Sequence, residues 1–193
     1  AASDVYKRQV TYTFTDNIYD EIVVERDNIV VDGAGYTLQG TEAPYSMGID
    51  LSYRSHITIK NMKIKAFDEG IRLSESSNNN ISGNNIASND HGIWLGWSSR
   101  NTIFGNNITN NDRYSIMLEF DSNYNSISRN TITNNNDGIW LFISSNNNVI
   151  HGNNVTSNNY DGIWLNGSSY NSISGNSITE SRFGIILEYF SSY

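Results

Sequence analysis

Asp137 to Leu165 reads DGIWLFISSNNNVIHGNNVTSNNYDGIWL. Two copies of DGIWL flank a run of Asn and Ser, a composition that by itself suggests a flexible segment. A disordered stretch has no physical reason to return to the same apolar pentad, so spacing decides the question. Aligned on G-I-x-L, the glycine position falls at Gly48, Gly70, Gly92, Ser115, Gly138, Gly162 and Gly184, at intervals of 22, 22, 23, 23, 24 and 22 residues. Self-similarity at such a period marks a repeat architecture.

Within each period the apolar residues recur in fixed places. The pentad supplies Ile71 and Leu73, Ile93 and Leu95, Ile116 and Leu118, Ile139 and Leu141, Ile163 and Leu165. A third position follows at Ile81, Ile103, Ile127, Ile150 and Ile173, and a fourth at Ile86, Ile108, Ile132, Val155 and Ile178. Spacing of i, i+2 in short β-branched segments is strand spacing. Between the strands stand three columns of Asn: Asn79 to Asn171, Asn84 to Asn176, and Asn89 to Asn158, the last ending in Ser181. Asn tolerates the left-handed backbone of a sharp corner, and its amide can bond to the coils on either side. Gly83, Gly105, Gly152 and Gly175 precede the second column and add turning freedom.

Short strands, tight corners and this period describe an all-β fold, a parallel β-helix of about seven coils stacked about 4.8 Å apart. A leucine-rich horseshoe overlaps in period, but it needs L-x-x-L-x-L and a helical return, and here the return is Asn, Gly and Ser. A single coil cannot bury its own apolar face, so stability belongs to the stack.

The totals agree. The chain of 193 residues suits one domain. It has no Cys, which removes disulfides and thiolate metal sites. A net charge of −8 argues against nucleic acid and anionic membrane surfaces as partners. No run of eighteen apolar residues exists to span a bilayer.

The ends carry separate expectations. DVYKRQ (Asp4–Gln9) resembles a translated sequencing-library adapter, so residues 1–9 are set apart from the fold as a scar of a metagenomic fragment. Residues 10–47 read as an irregular first coil or N-terminal cap, and 48–193 as the repeats, stopping in mid-coil. On that reading the chain is a fragment, or its open end is an assembly surface for end-to-end association.

The outward position of G-I-x-L gives the column Asp50, Arg72, Trp94, Met117, Trp140, Trp164 and Ile186. Alternation turns these side chains away from the core. Trp140 and Trp164 fall on adjacent coils, with Phe142 nearby. The simpler reading is an aromatic ladder that stiffens the sheet. The sharper one is a platform of Trp94, Trp140, Trp164, Arg72 and Phe142 that binds a glycan or a surface partner. The turn leading into the same strand collects Asp68, Glu69, Asp90, His91, Asp112, Arg113, Asp137 and Asp161. Asp before Gly is ordinary turn chemistry, yet Asp68, Glu69, Asp90 and His91 together are the candidates for proton transfer. Outward Thr pairs such as Thr131/Thr133 are good strand material and also resemble a flat ice-binding face.

ERDNIVVDGAGYTLQG (Glu25–Gly40), followed by GIDLSYRSHITIKNMKIKAFDEGIRLSESSNNNISGNNI (Gly48–Ile86) and the later coils, resembles the NosD-like right-handed parallel β-helix repeat family over residues 20–193. That resemblance implies a right-handed solenoid, in keeping with the crossover rule, and an extracytoplasmic location: periplasmic, surface-bound or secreted. It overlaps carbohydrate-binding and sugar-hydrolase β-helix domains. Its matching residues are structural and speak for the fold; the Trp column points first to a non-catalytic module that binds a glycan or a surface partner, with a polysaccharide lyase, hydrolase or uronate epimerase centred on the acid turns as the runner-up and a structural scaffold as the third reading. The family's copper label finds no support in the residues. His56, His91, His151, Met47, Met62 and Met117 form no convergent set. No cofactor is expected, although carboxylates and turn carbonyls would suit Ca²⁺.

Overall fold

The computed structural model describes residues 9–189 and 191, so the adapter-like segment at 1–9 lies, but for Gln9, outside the described residues. The fold is all β. Its strands form three parallel sheets of eight, seven and eight strands, which wind into eight turns of a solenoid. A typical coil contributes Asn80–Ser82 to the first sheet, Asn85–Ala87 to the second and His91–Gly96 to the third. Each pairs in register with its counterpart 22 to 24 residues on, as in Ile86 with Ile108, Ile93 with Ile116 and Trp140 with Trp164. The expected seven coils become eight because residues 10–47 also supply strands to all three sheets. Val10–Thr13 pairs with Ile29–Asp32, Ile22–Val23 with Met47–Asp50, and Thr37–Gln39 with Lys63–Lys65. Among the described residues no helix is long and apolar enough to cross a membrane.

The core is the column of aliphatic residues read from the repeat. Ile81, Ile86, Ile93 and Leu95 are fully buried, and so are Ile103, Ile108, Ile116 and Leu118 one coil later. The pentad glycine follows from close approach. A Cβ on Gly70 would lie 2.6 Å from the carbonyl oxygen of Gly92, and one on Gly92 only 2.5 Å from that of Ser115. Neither backbone oxygen can move without breaking the stack.

The Asn columns differ from expectation in one respect. The left-handed residues are not the column Asn but those just before them: Asn78, Gly83 and Ser88 have φ of 57°, 64° and 56°. The column Asn are buried and bond between coils. Asn106 accepts the backbone N–H of Asn84 at 3.0 Å and its Nδ2 at 3.0 Å, and donates to Ile81 O at 2.9 Å and to Asn130 Oδ1 at 3.0 Å. Turning the chain and stapling the coils are thus divided between neighbours. A fourth corner, missed in the sequence, does the same with serine. Ser98 Oγ accepts the N–H of Ser76 at 2.9 Å and donates to Leu73 O at 3.1 Å, and Ser122 repeats the arrangement.

Candidate functional site

The third sheet carries on its outer face and flanking turns every residue singled out for function. At its leading edge, the turns of two successive coils bring Asp68, Glu69, Asp90 and His91 into one cleft of about 840 Å³, with Arg113 from the next coil. Its far wall is the 42–45 segment. The N–H of Tyr45 donates to Asp68 Oδ2 at 2.7 Å, and Ser46 Oγ accepts the N–H of Asp68 at 3.1 Å. The Tyr45 side chain itself stands 88% exposed at the rim. Nothing in the repeat signals Tyr45. Its only sequence mark is the neighbouring Pro44, the sole proline of the chain.

The charges inside the cleft are held against one another. Asp90 lies 3.3 Å from Arg113 Nε and 3.6 Å from His91 Nε2. Burial pushes its carboxyl above the ordinary range, His91 and Arg113 draw it back, and the hydrogen-bonded carboxyl of Asp68 pushes it up again. Burial pushes His91 down, so its ring is neutral at neutral pH, and Nδ1 is buried without a partner. Glu69 is raised chiefly by burial and pulled back by Arg72, whose Nη1 bonds both carboxylate oxygens at 2.9 and 3.0 Å. The raised carboxyl of Asp90 thus lies 3.6 Å from the lowered imidazole of His91. A carboxyl held above its ordinary range beside an imidazole held below its own brings the two titrations closer together, as an acid–base pair requires. Among the described residues no three His, Asp or Glu are grouped to hold a metal ion.

The Trp column lies outside the barrel wall, as alternation requires, but its rings are not an open platform. Trp94, expected to be exposed, is 7% exposed. Its ring lies over Gly96, its Nε1 donates to Glu119 Oε1 at 3.1 Å, and the guanidinium of Arg72 covers it at 4.4 Å. Trp140 stacks on Tyr114 at 4.3 Å, on Phe142 at 4.9 Å and on Trp164 at 4.9 Å, with planes within about 23°. Near-parallel rings at such distances overlap face to face. Tyr114 and Trp164 on the flanking coils, with Phe142 on the same strand, therefore cover Trp140, and Trp140, Phe142 and Trp164 are all half-buried. The stack continues to the cleft, because His91 lies on Tyr114 at 5.4 Å. Acid turns and aromatic column thus form one continuous surface.

The same face carries a testable pH dependence. Burial pushes the carboxyl of Asp137 up, the N–H that Asp161 donates to it at 3.1 Å pulls it back, and the Asp161 carboxylate raises it again. A carboxyl raised by folding keeps its proton in the folded state where the unfolded chain has lost it. Its stabilising contribution is full below the ordinary carboxylate range, about pH 4, and is lost as the pH rises through the raised value. Asp137→Asn mimics the protonated form and retains an oxygen for Asp161. We expect it to leave the thermal midpoint unchanged near pH 4 and to raise it near pH 7. Equal lowering at both would contradict the assignment.

Fold and surface together define a right-handed parallel β-helix with a polar cleft on one sheet edge. Residues 13–178 match the family described as right handed beta helix region, and the chain belongs to that family. No curated protein matches it. Among solved structures it is similar to a point variant of the periplasmic alginate epimerase AlgG (22% identity, 82% of this chain, 38% of that one, TM-score 0.72). It is similar also to the A-module of the Azotobacter vinelandii mannuronan C-5 epimerase AlgE4 (17%, 96%, 57%, TM-score 0.80) and to the Dettilon tailspike protein (17%, 87%, 46%, TM-score 0.60). At these identities the likeness is one of fold, and the chain spans 38–57% of the length of these structures.

Proposed function

We propose that this chain is an extracytoplasmic, NosD-like β-helix that binds a polysaccharide segment in the cleft between Tyr45 and the Asp68–Asp90–His91 turns. One observation carries this reading. An uncovered aromatic ring stands over a recess lined by carboxyl, guanidinium and imidazole groups. Apolar ring faces and paired hydrogen-bonding groups are what a pyranose, with its C–H face and hydroxyl rim, requires. The proteins of similar fold, two of them alginate epimerases, lend support to a carbohydrate ligand, and the one described as periplasmic supports the location.

The test is calorimetric titration with hexasaccharides of mannuronate, galacturonate and β-1,4-linked glucose. At least one is expected to bind the wild type, and Tyr45→Ala is expected to weaken it about tenfold, or about 1.4 kcal/mol. An unchanged affinity for Tyr45→Ala, or no binding to any of the three, sinks the reading.

The raised carboxyl of Asp90, 3.6 Å from the lowered imidazole of His91, favours a catalytic version of the same site. In it Asp90 acts as acid and His91 as base. Incubation of the three parent polymers with the protein, followed by product analysis, is expected to show change that Asp90→Asn abolishes. Unaltered polymers leave binding alone.

A further inference from the structure

Trp97 lies outside the G-I-x-L register, two residues beyond Leu95, and its large ring is open to solvent at the trailing edge of the third sheet, at 52% exposure. Its backbone is left-handed, with φ of 49°, which tips the side chain out at the fourth corner. On the side of the following coil its ring stacks on Phe120 at 4.6 Å and 13°. The other face is uncovered. It borders a recess of about 520 Å³ lined by Glu75, Ser77 and Ser99 as well. Glu75 is the counterpart of Trp97 one coil earlier, as its N–H bonds to Gly96 O where that of Trp97 bonds to Glu119 O. The Glu75 side chain is exposed and takes no hydrogen bond or ion pair from the described residues.

This corner differs in kind from the Trp140 ladder. There both faces of the ring are covered; here Phe120 stiffens one face and leaves the other free beside a carboxylate and two hydroxyls. From the structure we infer that Trp97 and Glu75 form a second pyranose subsite. The apolar face of one sugar lies on the indole, and its hydroxyls donate to Glu75. This inference rests on the proposed glycan cleft and extends it. Both sites lie on the same two coils, at opposite edges of the third sheet. The strand from His91 to Trp97 separates them by about 20 Å at the rise of an extended chain. That is the reach of a short oligosaccharide, which would cross the sheet over Arg72 and Trp94 with one end at His91 and the other on Trp97.

The experiment compares disaccharides and hexasaccharides of mannuronate, galacturonate and β-1,4-linked glucose by calorimetry. For the hexasaccharide that binds, Trp97→Ala is expected to weaken affinity about tenfold, Glu75→Gln about threefold, and Trp97→Phe much less than Trp97→Ala. Disaccharide binding in the cleft should be unaffected by all three. Since Trp97 is exposed, its variants should keep the wild-type thermal midpoint. In the wild type, the hexasaccharide should also shield tryptophan fluorescence from acrylamide, and Trp97→Ala should lose that shielding. An unchanged hexasaccharide affinity in Trp97→Ala, with Tyr45→Ala still weakened, overturns the subsite and leaves the cleft standing. Equal weakening of disaccharide and hexasaccharide overturns it too, because the effect would then be general. If no sugar binds the wild type, cleft and subsite fall together.

Discussion

Asn106→Ala is expected to lower the unfolding free energy by about 1–3 kcal/mol, because it strands a buried backbone N–H. The N–H of Asn84 loses its acceptor, while the carbonyl of Ile81 loses the amide but keeps its place in the ladder with Thr102–Phe104. The neighbours do not compensate. Asn84 Nδ2 still reaches Ile59 O at 3.1 Å, and Asn106 N still donates to Asn130 at 2.9 Å, but both are donors and neither can accept from the Asn84 N–H. Asn106→Asp should not recover the loss at neutral pH, since its second oxygen would face the carbonyl of Ile81 and Asn130 Oδ1 with a buried, unpaired charge. Denaturant midpoints at constant slope would measure both. A loss under about 0.5 kcal/mol, the level of an ordinary surface change, would mean that the amide column does not hold the coils together.

Ile127→Ala should cost about 2–5 kcal/mol, the range for deleting a fully buried aliphatic side chain whose cavity relaxes only in part. Ile127 pairs with Ile103 on one side and Ile150 on the other, and all three are fully buried. Relaxation should be small, since closing the hole would require two backbone rungs to approach beyond the strand spacing already set by their hydrogen bonds. Ile173, in the same column, is only partly buried, so Ile173→Ala should cost distinctly less. Thermal or chemical unfolding of the two variants side by side tests the gradient. Equal costs would show that burial in this column does not set stability.

The inward positions were legible because one period fixes them all. Once Ile93 is paired with Ile116, the registers of Ile81 and Ile86 follow. The Asn columns were legible as corners, but the division of labour inside each corner was not. Gly83 bends the chain and Asn84 bonds between coils, and composition alone cannot separate two adjacent roles. The serine corner had a comparable signal in Ser76, Ser98, Ser122, Ser145 and Ser168, hidden by the abundance of Ser around it.

For the site, alternation told which side of the wall Trp94 occupies and nothing about what lies on top of it. Its cover comes from Arg72 on the preceding coil and Glu119 on the following one, so exposure is a property of three coils. The convergence of Asp68, Asp90 and His91 was legible, as they share one turn position at the repeat spacing. Tyr45 and Trp97 were not, since one belongs to a segment outside the repeats and the other projects from a corner that the G-I-x-L register does not describe.

The most direct test of the account follows backbone amide resonances while the binding hexasaccharide is added. The shifts should concentrate on Tyr45 and Ser46, on Asp68 and Glu69, and on Asp90, His91 and Arg113, with a second group at Glu75 and Trp97 where the far end of the sugar rests, leaving the second-sheet strands such as Asn107–Thr109 unmoved. Shifts centred on the second sheet, or spread evenly over the solenoid, would contradict a sugar seated at these turns.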